Sequence, residues 1–124
     1  MRRGVPSVRH GGNERAGLSS SLLERHVENF NTGVRTGDWT PMLELLTDDA
    51  ELEFVGIPVG PFHGREAIAA AYETQPPDDE IVLLDGGPRY AWLGDPGRPA
   101  GELHLEVRDG KIARLRVLYG QFGV

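Results

Sequence analysis

An α+β fold, with three helices first and a cone-shaped, curved antiparallel sheet packed against them, is what this sequence predicts. Three observations carry that reading. Apolar residues near the start recur at helical spacing, whereas those of the second half alternate with polar residues. Asp109-Gly110 joins the last two alternating runs, a strong signal for a tight hairpin. Helices that cover the one apolar face of an antiparallel sheet make an α+β plan, and the natural twist of the sheet curls it around them. A chain of 124 residues is long enough for one such domain and short for two.

Residues 1–18 are expected to be a disordered basic tail, because MRRGVPSVRHGGNERAG has no apolar period. Arg2, Arg3, Arg9 and Arg15 against Glu14 give the tail +3, so in a chain of net charge −6 the remainder carries −6 − 3 = −9. A domain that acidic is a poor partner for nucleic acid, which needs clustered Lys and Arg for its phosphates. No apolar stretch follows the arginines, which argues against a secretory signal.

A single domain is expected over residues 19–124. Ser19 to Ser21 offer N-cap hydroxyls, and Glu24 stands three residues after Ser21 as in a capping box. Leu23, Val27, Phe30 and Val34 form the apolar stripe of the first helix, with Leu22 and His26 on its edge, and Gly33 or Gly37 ends it. Asp38 caps a second helix with Pro41 in its first turn, and WTPMLELL buries a subset of its apolar residues. TDD reads as a turn. AELEFV then alternates, placing Ala50, Leu52 and Phe54 on one face and Glu51 and Glu53 on the other, until Gly56 and Pro58 stop it.

A third helix runs from Arg65 to about Thr74, burying Ala67, Ile68, Ala71 and Tyr72. The segments IVLLD, RYAWL, AGELHLEV and KIARLRVLYG read as strands. In the last two, Leu103, Leu105 and Val107 alternate with Glu102, His104 and Glu106. Ala113, Leu115, Val117 and Tyr119 alternate with Ile112, Arg114, Arg116 and Leu118. Arg114 and Arg116, opposite Glu102 and Glu106, either knit strands within the sheet or meet a second copy of the chain.

Several classes of chemistry have no foothold here. The chain has no cysteine, which removes disulfides, thiolate metal sites and a thiol nucleophile and agrees with a cytoplasmic setting. No run approaches the length of a membrane span, so no membrane partner is expected. The 4 histidines include no pair with ligand spacing on one face, so no metal is expected. Neither a Gly-rich phosphate loop nor a nucleophile elbow is present, and no cofactor is implied.

The order NTGVRTGDW, LELLTDDAELEF, GPFHGREAIAAAY and a long final hairpin resembles the nuclear transport factor 2-like superfamily, in its SnoaL-like and ketosteroid-isomerase-like branch, over about residues 19–122. The resemblance implies an apolar pocket inside the cone. Isomerases of the family use a tyrosine on the first helix, an aspartate near the end of the first strand and a second acid on a later strand. Those places fall at His26, Phe54 and Leu103. A supporting tyrosine on the third helix is matched by Tyr72, and an aromatic on the last strand by Tyr119. Phe and Leu cannot abstract a proton, so ketosteroid isomerisation is not expected.

What the resemblance implies instead is a cofactor-independent isomerase or cyclase acting on a small apolar ligand, an oxygenated ring compound. His26 would be its acid or base, and Tyr72 and Tyr119 would hold an oxygen. Phe30, Phe54, Leu103 and Val117 would line the pocket, with Ile57, Val59 and Phe62 as an apolar gate. His63 either borders the mouth or serves only the entry to the third helix. The alternative is a non-catalytic ligand-binding or dimerisation module of the same fold. A homodimer is expected in either case.

Overall fold

The computed structural model describes the backbone of residues 11–119 and the side chains of residues 21–119. Three helices, α1 (Gly11–Thr36), α2 (Thr40–Glu44) and α3 (Arg65–Thr74), pack against a sheet of β1 (Leu46–Val55), β2 (Phe62–His63), β3 (Ile81–Leu83), β4 (Arg89–Trp92), β5 (Gly101–Arg108) and β6 (Lys111–Tyr119). The strand order is β2-β1-β6-β5-β4-β3, and the sheet is curved and unclosed.

The α1 helix begins inside the stretch expected to be a tail, so Ser19 to Ser21 fall within it rather than capping it. Asn13-Glu14-Arg15-Ala16 holds three good helix formers, enough to extend the periodic segment backwards. Residues 1–10 of the expected tail lie outside the described residues. The buried arc of α1 is wider than its sequence stripe. Leu22 and His26, placed on the edge by pattern, are the most buried of the helix's described side chains at 1% and 2% exposure. A helix lying in the hollow of a curved sheet is contacted over more than one narrow stripe.

Gly37 ends α1 with φ +82 and donates its N–H to the Gly33 carbonyl at 2.7 Å. Gly33 has a different duty. A Cβ there would run into the Trp39 indole, so the missing side chain is the seat of that ring. Trp39, not the expected Asp38, stands at the N-cap of α2; Asp38 lies one residue before it and accepts a hydrogen bond from the Thr40 N–H at 3.0 Å, an Asx turn leading into the helix.

The sheet is mixed, which corrects the wholly antiparallel expectation. Strand β1 pairs in parallel with β6, while all other neighbours are antiparallel. Strands β3 to β6 form a meander whose last member slots beside β1 pointing the same way. TDD is not a turn but part of β1, in the stretch where the register slips between Leu46 and Glu51. A matching β-bulge lies across from it. Glu106 pairs with Arg114 and Val107 with Ile112, so Ala113 is the extra residue. The bulge turns Ile112 from the expected charged face into the core, where it is 0% exposed.

On the outer face Glu51 stands opposite Arg114, and Glu53 opposite Arg116. Arg114 reaches Glu51 at 2.8 Å and Glu106 at 3.5 Å, Arg116 reaches Glu53 at 3.1 Å, and His104 meets Glu102 at 2.7 Å. These pairs knit β1, β6 and β5 within one chain. Being partly exposed they contribute modestly to stability, but they enforce the register that sends the apolar residues inward.

The edge strand β3 is tied to α1 by one side chain. Asn31 donates from Nδ2 to the Ile81 carbonyl at 2.8 Å and accepts the Ile81 N–H on Oδ1 at 2.9 Å. Both backbone groups of a partly buried sheet edge are thereby satisfied. Asn31→Ala removes both partners at once. It should lower unfolding free energy by about 1–3 kcal/mol in urea titration, with faster amide exchange at β3 than at β5.

Candidate functional site

Between α1, α3 and the concave face of the sheet lies a cavity of about 230 Å³. It is lined by His26 and Phe30 of α1, Leu52 and Phe54 of β1, Ile57, Val59 and Phe62 of the loop and β2, and Ala71, Tyr72, Gln75 and Pro77 at the end of α3. The rest comes from Ile81, Tyr90, Trp92, Leu103, Leu115, Val117 and Tyr119 of the sheet. The helix and strand residues arrive by the simple periodicities: α1 offers positions 26 and 30 on one face, and the strands offer alternate residues, while Ile57, Val59, Gln75 and Pro77 come from loops.

Ten of the eleven residues expected at the site line this cavity. The exception is His63. Its side chain is 71% exposed and faces Glu51 on the outer side at 3.5 Å. Phe62 and His63 form a short strand paired with Leu52 and Glu51, so adjacent residues point to opposite faces and only Phe62 reaches inward. Ile57 and Val59 stand exposed at the rim of the cavity, joined there by Trp92.

His26 lies at the floor. Its Nδ1 is buried without a hydrogen-bond partner among the described residues. Burial holds the imidazole pKa down to about 4, because the charged form loses its hydration and gains no counter-charge. At neutral pH the ring is therefore uncharged. Phe30 stands beside it with ring centres 6.5 Å apart.

Tyr72 is clamped by aromatic rings, 4.9 Å from Trp39 and 6.4 Å edge-on to Phe30. Burial, and then the neighbouring Tyr119, push its hydroxyl pKa up. Tyr119 stacks on Phe54 at 6.0 Å, and burial raises its pKa too. Phe54 thus serves as a platform for a phenol.

Tyr90 was missed by the sequence reading. It is 2% exposed, its hydroxyl is hydrogen-bonded to that of Tyr119, and burial raises its pKa. The available signal was spacing: Tyr90 and Trp92 are two apart on one strand and share a face. All 3 tyrosines of the chain line this one cavity. Among the described residues no Asp, Glu, Lys or Arg lines it, so the polar groups they contribute are neutral donors and acceptors. Among the described residues, no group of three His, Asp or Glu side chains is placed to hold a metal ion.

Residues 25–85 match the SnoaL-like domain. No curated protein matches the chain. Solved structures share the architecture, three of them as follows. A candidate ketosteroid isomerase from Kribbella flavida is 21% identical, with 87% of this chain and 82% of that chain covered and a TM-score of 0.59. An NTF2-like protein from Anabaena variabilis is 20% identical, covering 95% and 98%, with a TM-score of 0.57. A Mycobacterium tuberculosis protein, solved in complex with estradiol-17β-hemisuccinate, is 17% identical, covering 84% and 95%, with a TM-score of 0.60. At these identities the likeness is one of fold.

The buried imidazole sets a pH dependence. Its folded pKa, about 4, lies below the unfolded value of 6.5, so between these values the unfolded chain binds more protons. Stability is whole above pH 6.5 and falls as pH drops towards 4, by on the order of 3 kcal/mol from this group. In His26→Leu the decline between pH 6.5 and 4.5 should be shallower, measured by urea midpoints at each pH. Parallel curves for the two proteins would contradict the buried neutral imidazole.

Proposed function

We propose that this chain, a SnoaL-like domain of the nuclear transport factor 2-like superfamily, binds a small, uncharged, largely apolar ring compound carrying an oxygen and isomerises or cyclises it without a cofactor. The single observation behind this reading is the gathering of one imidazole and three phenols in a cavity whose other described lining is mostly hydrocarbon. Such a lining takes up an apolar skeleton by burial and orients it through few hydrogen bonds. With no charged side chain among its described lining residues, it disfavours a charged ligand, whose hydration would be lost without compensation.

In this mechanism Tyr72 and Tyr119 donate to the oxygen of a ketone. Their raised pKa values keep them protonated, as donors must be. Polarising the carbonyl acidifies the neighbouring C–H, and His26 accepts that proton at Nδ1. The imidazole is a weak base while alone in an apolar site. It becomes a stronger one as negative charge grows on the nearby oxygen, because opposite charges attract strongly at low dielectric. The neutral acid and neutral base are thus converted into an ion pair, and return of the proton to a different carbon completes an isomerisation. The expected homodimer belongs to the same proposal.

A second reading, a ligand-binding module without chemistry, is favoured by the carbon side chains at Phe54 and Leu103, which leave His26 as the base. The two separate in one experiment. Hydrogen–deuterium exchange next to the carbonyl of α-tetralone, a two-ring ketone, is followed by NMR with and without protein. The enzyme reading expects acceleration by wild type and a loss of about 100-fold or more in His26→Ala, with α-tetralone still bound by calorimetry. Binding without acceleration supports the module. No binding refutes both.

A further inference from the structure

Three tyrosines line the cavity, but they are not equivalent. Tyr90 on β4, Gly101 on β5 and Tyr119 on β6 lie directly opposite one another across three adjacent strands. Directly opposed residues share a face of the sheet, so the row runs phenol, empty place, phenol. The empty place is occupied by the Tyr90 ring. A Cβ on Gly101 would stand 2.9 Å from a Tyr90 ring carbon and 3.0 Å from its hydroxyl oxygen, and would collide with the Leu118 carbonyl. Only glycine lets Tyr90 lie over β5 and reach Tyr119 two strands away. Each ring is also held on its other side. Trp92 meets Tyr90 edge-on at 6.0 Å, and Phe54 stacks on Tyr119 at 6.0 Å.

We propose that Tyr90, lying across the gap at Gly101, is a positioning residue that makes the Tyr90–Tyr119 end of the cavity its specificity-determining subsite for a neutral oxygen acceptor, a ring ketone. The inference rests on the reading of the cavity given above and adds to it where the ligand oxygen sits and why. A hydroxyl has one donor and two acceptor sites. Tyr119 therefore accepts from Tyr90 and donates onward to the ketone. A hydroxyl that already accepts a bond is a better donor, because chains of hydrogen bonds polarise one another at low dielectric. Tyr90 also fixes the direction of the Tyr119 O–H: with the Tyr90 proton on the Tyr119 oxygen, the Tyr119 proton must point elsewhere. Tyr90 thereby sets the preference for a ketone over a hydrocarbon of the same shape.

The test compares α-tetralone with tetralin, the same two rings without the oxygen, by calorimetry. Wild type should bind the ketone about tenfold more tightly. Tyr90→Phe should reduce that preference to about twofold or less while tetralin affinity stays within twofold. Tyr119→Phe should do the same, and the double variant should be no worse than either single one, since all three remove one chain of bonds. Gly101→Ala should lose the preference as well, and Tyr90→Phe serves alone if that variant does not fold. A preference that survives in Tyr90→Phe overturns the inference, as does equal weakening of both compounds, which would mark Tyr90 as merely structural. Wild type that binds both equally leaves the ligand-binding cavity standing and overturns this subsite. Wild type that binds neither overturns the cavity reading and this inference with it.

Discussion

The contact between the Trp39 indole and the bare backbone at Gly33 is the one on which the helical half of this molecule depends. The ring fits there because α1 has no side chain at that point. Having fitted, it touches Phe30 of α1 with ring centres 5.8 Å apart and Tyr72 of α3 at 4.9 Å. One side chain thus joins the first helix, the short second helix and the third. Aromatic rings meeting at tilted angles pack with defined geometry, so the Tyr72 ring is placed by its neighbours rather than by its own torsions. Asn29 adds a second tie, donating to the Pro41 carbonyl at 3.0 Å. The helices are braced against one another before they touch the sheet, which is how a hollow between the two layers survives the pressure towards close packing.

The sheet supplies the opposite wall by a different device. Its outer face carries rows of ion pairs at Glu51, Arg114 and Glu106 and at Glu53 and Arg116. Its inner face carries hydrocarbon and phenol. A shift of register by one residue would exchange the two faces and bury the charges, so the outer ion pairs and the inner cavity specify the same pairing. The bulge at Ala113 keeps that agreement while bending β6, and it brings Ile112 into the core at the closed end. The open end is left with Ile57, Val59 and Trp92 at its rim.

The electrostatics follow from burial. Burial among described residues without formal charge keeps the imidazole neutral and the phenols protonated. It is a place where hydrogen bonds to a neutral oxygen are strong and a lone charge is costly. At the places to which the resemblance assigns carboxylates, this chain has Phe54 and Leu103. Phe54 is not simply a loss, since it supports the Tyr119 ring. The arrangement moves the polar work of the pocket from acids to phenols. This fold hosts many chemistries on one frame, and the frame here is used with a distinct set of polar groups.

Most of the frame is legible in the sequence because it rests on local periodicity. The three helices, the alternating strands, the Asp109-Gly110 turn and the inward Ala50, Leu52 and Leu103 follow from spacings of 3.6 and 2 read over short windows. Asp109 and Gly110 both have positive φ, as such a turn needs. Of the ten expected residues that line the pocket, His26, Phe30, Phe54, Tyr72, Leu103, Val117 and Tyr119 follow from the same periods once the family resemblance says which face is hollow, and Ile57, Val59 and Phe62 from the loop that the resemblance places at the mouth. His63 points away from the cavity because a two-residue strand, invisible as a pattern, puts Phe62 and His63 on opposite faces. Other features belong to the tertiary structure alone. The parallel pairing of β1 with β6, the bulge that buries Ile112, the depth of His26, and the passage of Tyr90 over Gly101 to Tyr119 join residues far apart in the chain. Local spacing determines which way a side chain points along its own element. Which side chain it meets is decided by the register between elements, and that is set only when the whole sheet closes on its helices.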